Sequence, residues 1–266
     1  MHICASRPHG VGRRRVSMVR EWCRRGRAMK SGRVIGVVGA RGGIGASSLA
    51  AALARRLARG RPGASAPVAL ADLDGAGGGL DVLLGMEGID GLRWPDLRGA
   101  RGEVSGPELT ALLPRWSGVT VLSADRTRPG APRAEVVEDV LDALVTSHDE
   151  VVLDLGRDSV LAGHGPLDRC AVVLVLATRD VRAVAGVLAL RAAVLAAVPD
   201  VRLVVRGPAP GGLGVLELAH VVDLPLAASM GPQRGFDAGL ERGGGPAPRR
   251  RGPLARAVDR LATGLA

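Results

Sequence analysis

The sequence predicts an α/β protein, a mostly parallel twisted sheet with helices on both faces. Three observations predict it. Short β-branched runs alternate with helical patterns from residue 33 onward, as βαβ units do. The runs are apolar at consecutive positions, the pattern of strands buried on both sides. Several end in Gly or Asp, where such sheets place ligands beyond the carboxyl ends of their strands. At 266 residues and 47% hydrophobic content, the chain is long enough for one such domain with a full core, or for two small ones.

The elements follow in order. Arg33–Gly39 (RVIGVVG) reads as a buried strand, and residues 45–59 have high helix propensity. Val68–Asp72 is a second strand. Residues 75–105 are Gly-rich and poorly periodic, so they read as irregular. Residues 106–115 are expected to form a helix and Val119–Ser123 a strand. Residues 134–147 put Val137, Val140, Leu141 and Leu144 on one helical face. Val151–Asp154 and Ala171–Ala177 are strands, Val181–Val198 is a long helix, and Val201–Val205 is a further strand. A short helix at 213–220 and a short strand at Leu224–Ala227 complete the sheet. Residues 229–252, with GGGPAPRRRG, read as a flexible basic linker.

Composition excludes several functions. No run of about 18 apolar residues is present, so a spanning helix is not expected. The aromatic residues are Trp22, Trp94, Trp116 and Phe236 alone, too few to stack single-stranded nucleic acid. Cys4, Cys23 and Cys170 are too scattered for disulfides or zinc, and Cys170 heads an apolar run as a buried thiol would. The histidines show no metal spacing, and no nucleophile elbow supports Ser-His-Asp chemistry. The compartment is read as reducing cytoplasm.

The formal charge of +10 is unevenly spread. Residues 1–30 hold eight Arg and Lys30 against Glu21 alone, so the remainder of the chain is nearly neutral. A DNA-binding body is therefore not expected. The leader lacks the apolar stretch of a secretory signal. It reads either as a disordered extension, with Met29 an attractive start, or as an arm for nucleic acid or an acidic membrane. The expected organisation is a leader over 1–30, a domain over 31–240, and a basic linker with a short C-terminal helix over 241–266.

Residues 39–48 (GARGGIGASS) lie between a strand and a helix, the context of a phosphate-binding loop. Glycines let successive backbone N–H groups turn toward anionic oxygens, and the helix N-terminus adds its dipole. In the G-x-x-x-x-G-K-[ST] frame, Ala40 takes the first Gly, Gly45 the second, Ala46 the Lys and Ser47 the Ser/Thr. The lysine is missing, and no lysine follows Lys30 anywhere in the chain. A ligand-free glycine turn is the plain alternative.

The stretch VVGARGGIGASSLAAALA resembles the opening of the MinD/ParA branch of P-loop NTPases, which carries a deviant Walker A loop. Arg41 takes the place of that branch's signature lysine, which reaches the partner's phosphates across a nucleotide-sandwich dimer. Val68–Asp74 (VALADLD) is similar to the branch's D-x-D segment, and Val151–Arg157 (VVLDLGR) to its Walker B strand. DLDGAGGGLDVLLG, VVRGPAPGGL at 204–213 and LPLAASMGPQRGFDAGLERG at 224–243 resemble the septum-site-determining (Ssd-type), CpaE-like subgroup, in which a receiver-like domain often precedes this one.

The resemblance implies ATP and Mg²⁺ as cofactors. It implies nucleotide contacts from Arg41, Gly42, Gly43, Ile44, Gly45, Ala46, Ser47 and Ser48, and metal contacts from Ser47, Asp74 and Asp154. Asp74 and Arg41 would carry any catalysis. Asp72 is as well explained by capping the next turn. Without the Walker lysine, affinity is expected to be weak and hydrolysis slow or lost. The implied function is a switch in septum-site selection and cell division, or in placing a pilus or secretion system. Its partners would be a second copy, bound in a nucleotide-dependent homodimer, and proteins of that process. A nucleotide-free pseudo-ATPase scaffold is the alternative. Residues 253–266 put Leu254, Val258, Leu261 and Leu265 on one helical face. That face is expected to pack on its own domain or a partner, with weak peripheral membrane contact as the other use.

Overall fold

The computed structural model describes residues 32–60, 67–75, 77–99, 104–163, 165–246 and 251–265. The leader expected over 1–30 lies outside them, as do Ala247–Arg250 of the basic linker. The strands are β1 (Arg33–Gly39), β2 (Val68–Leu73), β3 (Arg115–Trp116), β4 (Val119–Leu122), β5 (Glu150–Leu155), β6 (Val172–Thr178), β7 (Val201–Arg206) and β8 (Leu226–Met230). The α-helices are α1 (Ala46–Ala58), α2 (Leu80–Leu84), α3 (Gly106–Leu112), α4 (Ala134–Ser147), α5 (Arg157–Leu161), α6 (Val181–Ala197), α7 (Val215–Val222), α8 (Phe236–Leu240) and α9 (Pro253–Gly264).

The strands form one sheet in the order β3-β4-β2-β5-β1-β6-β7-β8. All pairings are parallel except the β3–β4 hairpin. From β1 the chain builds toward β3, returns through β5, and then crosses β1 to build toward β8. The loop after β1 therefore leaves the sheet where strand order reverses, the place at which open α/β sheets bind ligands. β1, β5 and β6 are buried at consecutive residues, so both of their faces are covered.

The expected mostly parallel α/β sheet is thus the observed one, and each expected strand and long helix is present to within about three residues. Four local expectations need correction. The helix expected over 106–115 stops at Leu112. Pro114 disfavours the helical region for Leu113, which is extended. Arg115 and Trp116 then pair with β4 through a turn in which Ser117 and Gly118 have φ of 50° and 91°. The stretch 75–105, expected to be irregular, contains α2 and a 3-10 turn at Trp94–Leu97. α5 was not expected, and at five residues it is too short to show a period. The linker expected over 229–252 holds the end of β8 and the short α8.

α9 lies along α1 and β8. Leu254, Val258, Leu261 and Leu265 are all buried there, and Arg56 of α1 is ion-paired with Asp259. Burying a Leu or Val side chain contributes about 1.5–3 kcal/mol, so this face is strongly held. The apolar stripe that would meet a membrane is covered by the chain's own domain. No helix among the described residues is long and apolar enough to cross a membrane.

Candidate functional site

The site is assembled at the carboxyl edge, where β1, β2, β5, β6 and β7 deliver their terminal residues. Ala40 opens the glycine loop. Its N–H donates to the Leu176 carbonyl of β6 at 2.8 Å, and its own carbonyl accepts from Arg157 Nε at 3.0 Å. A Cβ at Gly186 of α6 would lie 1.9 Å from that carbonyl oxygen, so only glycine lets α6 approach the loop this closely. Ile44 anchors the middle of the loop in the core, 3% exposed.

The outer face of the loop is open. A Cβ added at Gly42 or Gly43 would meet nothing within 4 Å. Gly43 and Gly45 have φ of 72° and 91°, left-handed values that turn the backbone into α1. The first turn of α1 has no side-chain cap and no acidic residue. Its amides therefore lack side-chain acceptors and face outward as a helix N-terminus suited to an oxyanion. Ala46 stands where a lysine would add a charge, and Ser48 is turned inward, 7% exposed.

The carboxylates gather beside this loop. Asp72 and Asp154 are opposite one another on β2 and β5, each 3% exposed. Asp72 has a structural task. Its carboxylate accepts the amides of Asp74, Leu80 and Ala124 at 3.0, 2.9 and 3.2 Å, which folds the glycine-rich turn into α2. Burial pushes its pKa up to about 6, despite those three amides. The nearby Ser47 favours the charged form of Asp154, yet burial and the charge of Asp72 push its pKa up to about 7. Asp74 sits partly exposed beside the chain leaving β5. A Cβ at Gly156 would come within 3.4 Å of its Oδ1.

The described residues contain no cluster of three or more His, Cys, Asp or Glu arranged to hold a metal by themselves. The donors present fit Mg²⁺ nonetheless. That ion prefers oxygen ligands and keeps several waters, relying on one or two carboxylates and substrate phosphates. Ser47, Asp154 and Asp74 offer such a partial oxygen set beside an open anion cradle, and a cation there would offset the burial and repulsion that raise the Asp154 pKa.

Among the described residues, three guanidinium groups border the loop. Arg41, exposed on its outer lip, reaches Asp180 Oδ2 at 3.4 Å. Asp180 in turn caps α6 by accepting from the Ala183 amide at 3.0 Å. Arg157 pairs with Asp158 at 3.4 Å as well as holding Ala40. Arg206, the last residue of β7, donates from Nη1 to the Ile44 carbonyl at 2.7 Å. It lies within VVRGPAPGGL at 204–213, but neither its spacing nor that of Arg157 marks a role in the sequence. Adjacency of β5 and β7 to the loop is a property of strand order alone.

Beside Arg206, Ser48 and Leu49 lies a cavity of about 20 Å³, lined also by Met230, Gln233, Phe236 and Leu254. A larger one, about 500 Å³, shares Leu155 and Gly156 with the end of β5 but touches no residue of the glycine loop. Cys170 is buried, and burial pushes its thiol pKa up to about 12, so it is the inert core thiol expected. His148 is structural, buried between the Leu144 carbonyl and the Thr120 hydroxyl at 3.0 and 3.2 Å from its ring nitrogens.

No protein-family model matches the chain. Uncharacterised proteins of two Mycobacterium tuberculosis strains are each 41% identical over 230 residues, 86% of this chain and 63% of theirs. The chain thus spans about 63% of the length of these curated relatives. Among solved structures, a ParA family ATPase of Chlorobium tepidum matches with a TM-score of 0.69 at 17% identity, over 89% of this chain and 100% of that one. The septum site-determining protein MinD of Pyrococcus horikoshii, complexed with Mg-ADP, matches with a TM-score of 0.66 at 16% identity, over 88% and 95%. The eight-stranded sheet, with its glycine loop at the strand-order reversal, has the fold of the MinD/ParA ATPases among P-loop NTPases.

Proposed function

We propose that the chain is a nucleotide-binding regulator of the MinD/ParA kind, close to the septum-site-determining and CpaE-like subgroup. It would act in septum-site selection and cell division, or in positioning a pilus or secretion system. The observation that carries the reading is the placement of Ser47, in the first turn of an uncapped helix, close to the buried Asp154 of the neighbouring strand. Hydroxyl, carboxylate and free amides stand together where phosphates and Mg²⁺ would each find oxygen or N–H partners.

In this reading the amides of Arg41 to Ser48 hold phosphate oxygens, with Gly42, Gly43 and Gly45 allowing close approach, and Ile44 pins the loop to the core. Ser47, Asp154 and Asp74 face the metal. Bound Mg·ATP would supply the transferable phosphoryl group. Asp74 would orient water, and Arg41 would exchange Asp180 for phosphates of a second copy, making nucleotide the signal for a homodimer. Ala46 leaves the loop one charge short, so binding is weak and turnover slow or lost. The MinD match supports the cofactor assignment through its own Mg-ADP. The competing scaffold reading draws on the same Ala46 and on the Arg41–Asp180 pair, which occupies Arg41 without any nucleotide.

Calorimetry with Mg·ATP on the wild type and on Ala46→Lys tests the reading. A charge-assisted bond contributes about 1.5–3 kcal/mol, so Ala46→Lys should tighten binding roughly 10- to 100-fold. Sedimentation should show dimers only with Mg·ATP and only while Arg41 is intact. Absence of binding by both proteins at millimolar nucleotide would remove the switch and leave the scaffold.

A further inference from the structure

We infer that Arg206 supplies from β7 the positive charge that the glycine loop lacks at Ala46, and is a phosphate-binding residue of this site. The inference rests on the nucleotide reading above and assigns a residue that neither the loop motif nor its spacing indicates.

Three features of Arg206 carry it. The first is position. Nη1 lies 2.7 Å from the Ile44 carbonyl and 2.7 Å from where a Cβ on Gly45 would stand. The guanidinium is thus packed on the backbone of the residue that caps α1, beside the uncapped first turn. Any side chain at position 45 would displace it, so the left-handed glycine serves the turn and the arginine together.

The second is pairing. Arg41 and Arg157, the other guanidiniums at the loop, each meet a carboxylate, Asp180 and Asp158. Arg206 meets none among the described residues, and the hydrogen bond to Ile44 uses one of its five N–H donors. A half-buried charge without a counter-ion is costly, and it favours capture of an anion. The planar fork suits the oxygens of a phosphate.

The third is support. Arg206 is registered opposite Thr178 on β6 and Met230 on β8, so it is held by two neighbouring strands rather than by a loop. Its guanidinium is already in place beside the cradle before any ligand arrives, which lowers the ordering cost of binding.

Calorimetry with Mg·ADP and with inorganic pyrophosphate, on wild type, Arg206→Gln, Arg206→Lys and the double variant Ala46→Lys/Arg206→Gln, tests this. Arg206→Gln should weaken both ligands at least 10-fold, and Arg206→Lys should retain most of the affinity. Ala46→Lys should tighten binding by a larger factor in the Arg206→Gln background than in the wild type, because one charge then replaces the other. Thermal melting of the ligand-free proteins separates this role from a structural latch. A lowered melting temperature with unchanged affinity, or equal gains from Ala46→Lys in both backgrounds, would overturn the assignment. Pyrophosphate binding that needs Arg206, with no nucleotide binding, would keep the assignment and remove the nucleotide reading. Nucleotide binding indifferent to Arg206 would do the reverse, and failure of every ligand at millimolar concentration would remove both.

Discussion

The two edges of the sheet use the same residue types in opposite ways. At the amino edge charges are matched. Arg33 at the start of β1 grips Glu150 of β5 with two N–H···O bonds of 3.0 and 2.6 Å. Arg202 grips Asp200 at 2.8 and 2.7 Å and also reaches the Gly264 carbonyl at 2.9 Å. At the carboxyl edge the exposed pairs Arg41–Asp180 and Arg157–Asp158 flank buried carboxylates of like sign. Asp72 and Asp154 stand opposite each other, both buried, and Arg206 meets no carboxylate among the described residues. Matched pairs lower the energy of the folded chain by themselves. Crowded ones raise it until something of the missing charge arrives, which is why the carboxyl edge reads as a binding site and the amino edge as framework.

If this contrast is real, neutralising a carboxylate should have opposite signs at the two edges. The larger effect belongs to Asp154. Its pKa in the fold, about 7, is raised above the ordinary 3.8. As pH rises, the unfolded chain therefore loses this proton first. Stability from this group falls from about pH 4 up to about pH 7, and the loss is complete above that. Asp154→Asn should raise the stability of the ligand-free protein at pH 8, on the order of 2 kcal/mol, and change it little near pH 4. The same variant should lose the Mg²⁺ dependence of nucleotide binding. Urea denaturation at the two pH values would break the contrast if Asp154→Asn were destabilising at both.

Legibility in the sequence follows the same division. RVIGVVG and the Asp-terminated runs are strands because their residues are buried on both faces, and that burial is written in consecutive apolar letters. The glycine loop is legible because Gly43 and Gly45 must adopt left-handed angles that other residues avoid. Asp154 is legible because it ends such a run. Arg206 is not, because its meaning comes from β7 lying two strands from β1, which no local pattern records. The abundance of Arg hid it further, since 35 of the 36 basic residues are Arg. The hairpin at Arg115–Trp116 was lost for a different reason. Its partner is one short strand, and its hydrophobic period is too brief to compete with the helical pattern before it.

A smaller effect concerns His148, between α4 and β5. Burial lowers its pKa, as does the charge of Arg115, against the pull of the Leu144 carbonyl and Asp149. The sign is the reverse of that for Asp154. The unfolded chain takes the proton first as pH falls below about 6.5, so the contribution of His148 is intact above that value and is lost as pH falls toward the folded value. Asp154 and His148 therefore oppose each other across an overlapping window and flatten the wild-type profile. His148→Gln should lose less stability than the wild type between pH 7.5 and pH 5, measured by urea midpoints. Parallel profiles for the two proteins would show that His148 does not titrate with folding.

The smallest effect is at Glu150, and its sign matters more than its size. Glu150→Gln leaves Arg33 one acceptor fewer but keeps its hydrogen bond to the Leu265 carbonyl. The pair is partly exposed, with Arg33 at 32% and Glu150 at 17%, so water screens part of the attraction. A loss of about 0.5–1 kcal/mol is expected at low salt, where Asp154→Asn at pH 8 gives a gain. The fork geometry ties β1 to β5 directly below Asp154, which is itself registered against Val37 of β1. Raising the salt to about 1 M should shrink the loss from Glu150→Gln, because the ion pair is near solvent. It should leave the gain from Asp154→Asn largely intact, because that carboxylate is buried. Equal salt dependence for the two variants would mean that solvent reaches both edges alike, and the carboxyl edge would then hold no stored repulsion for a cation to relieve.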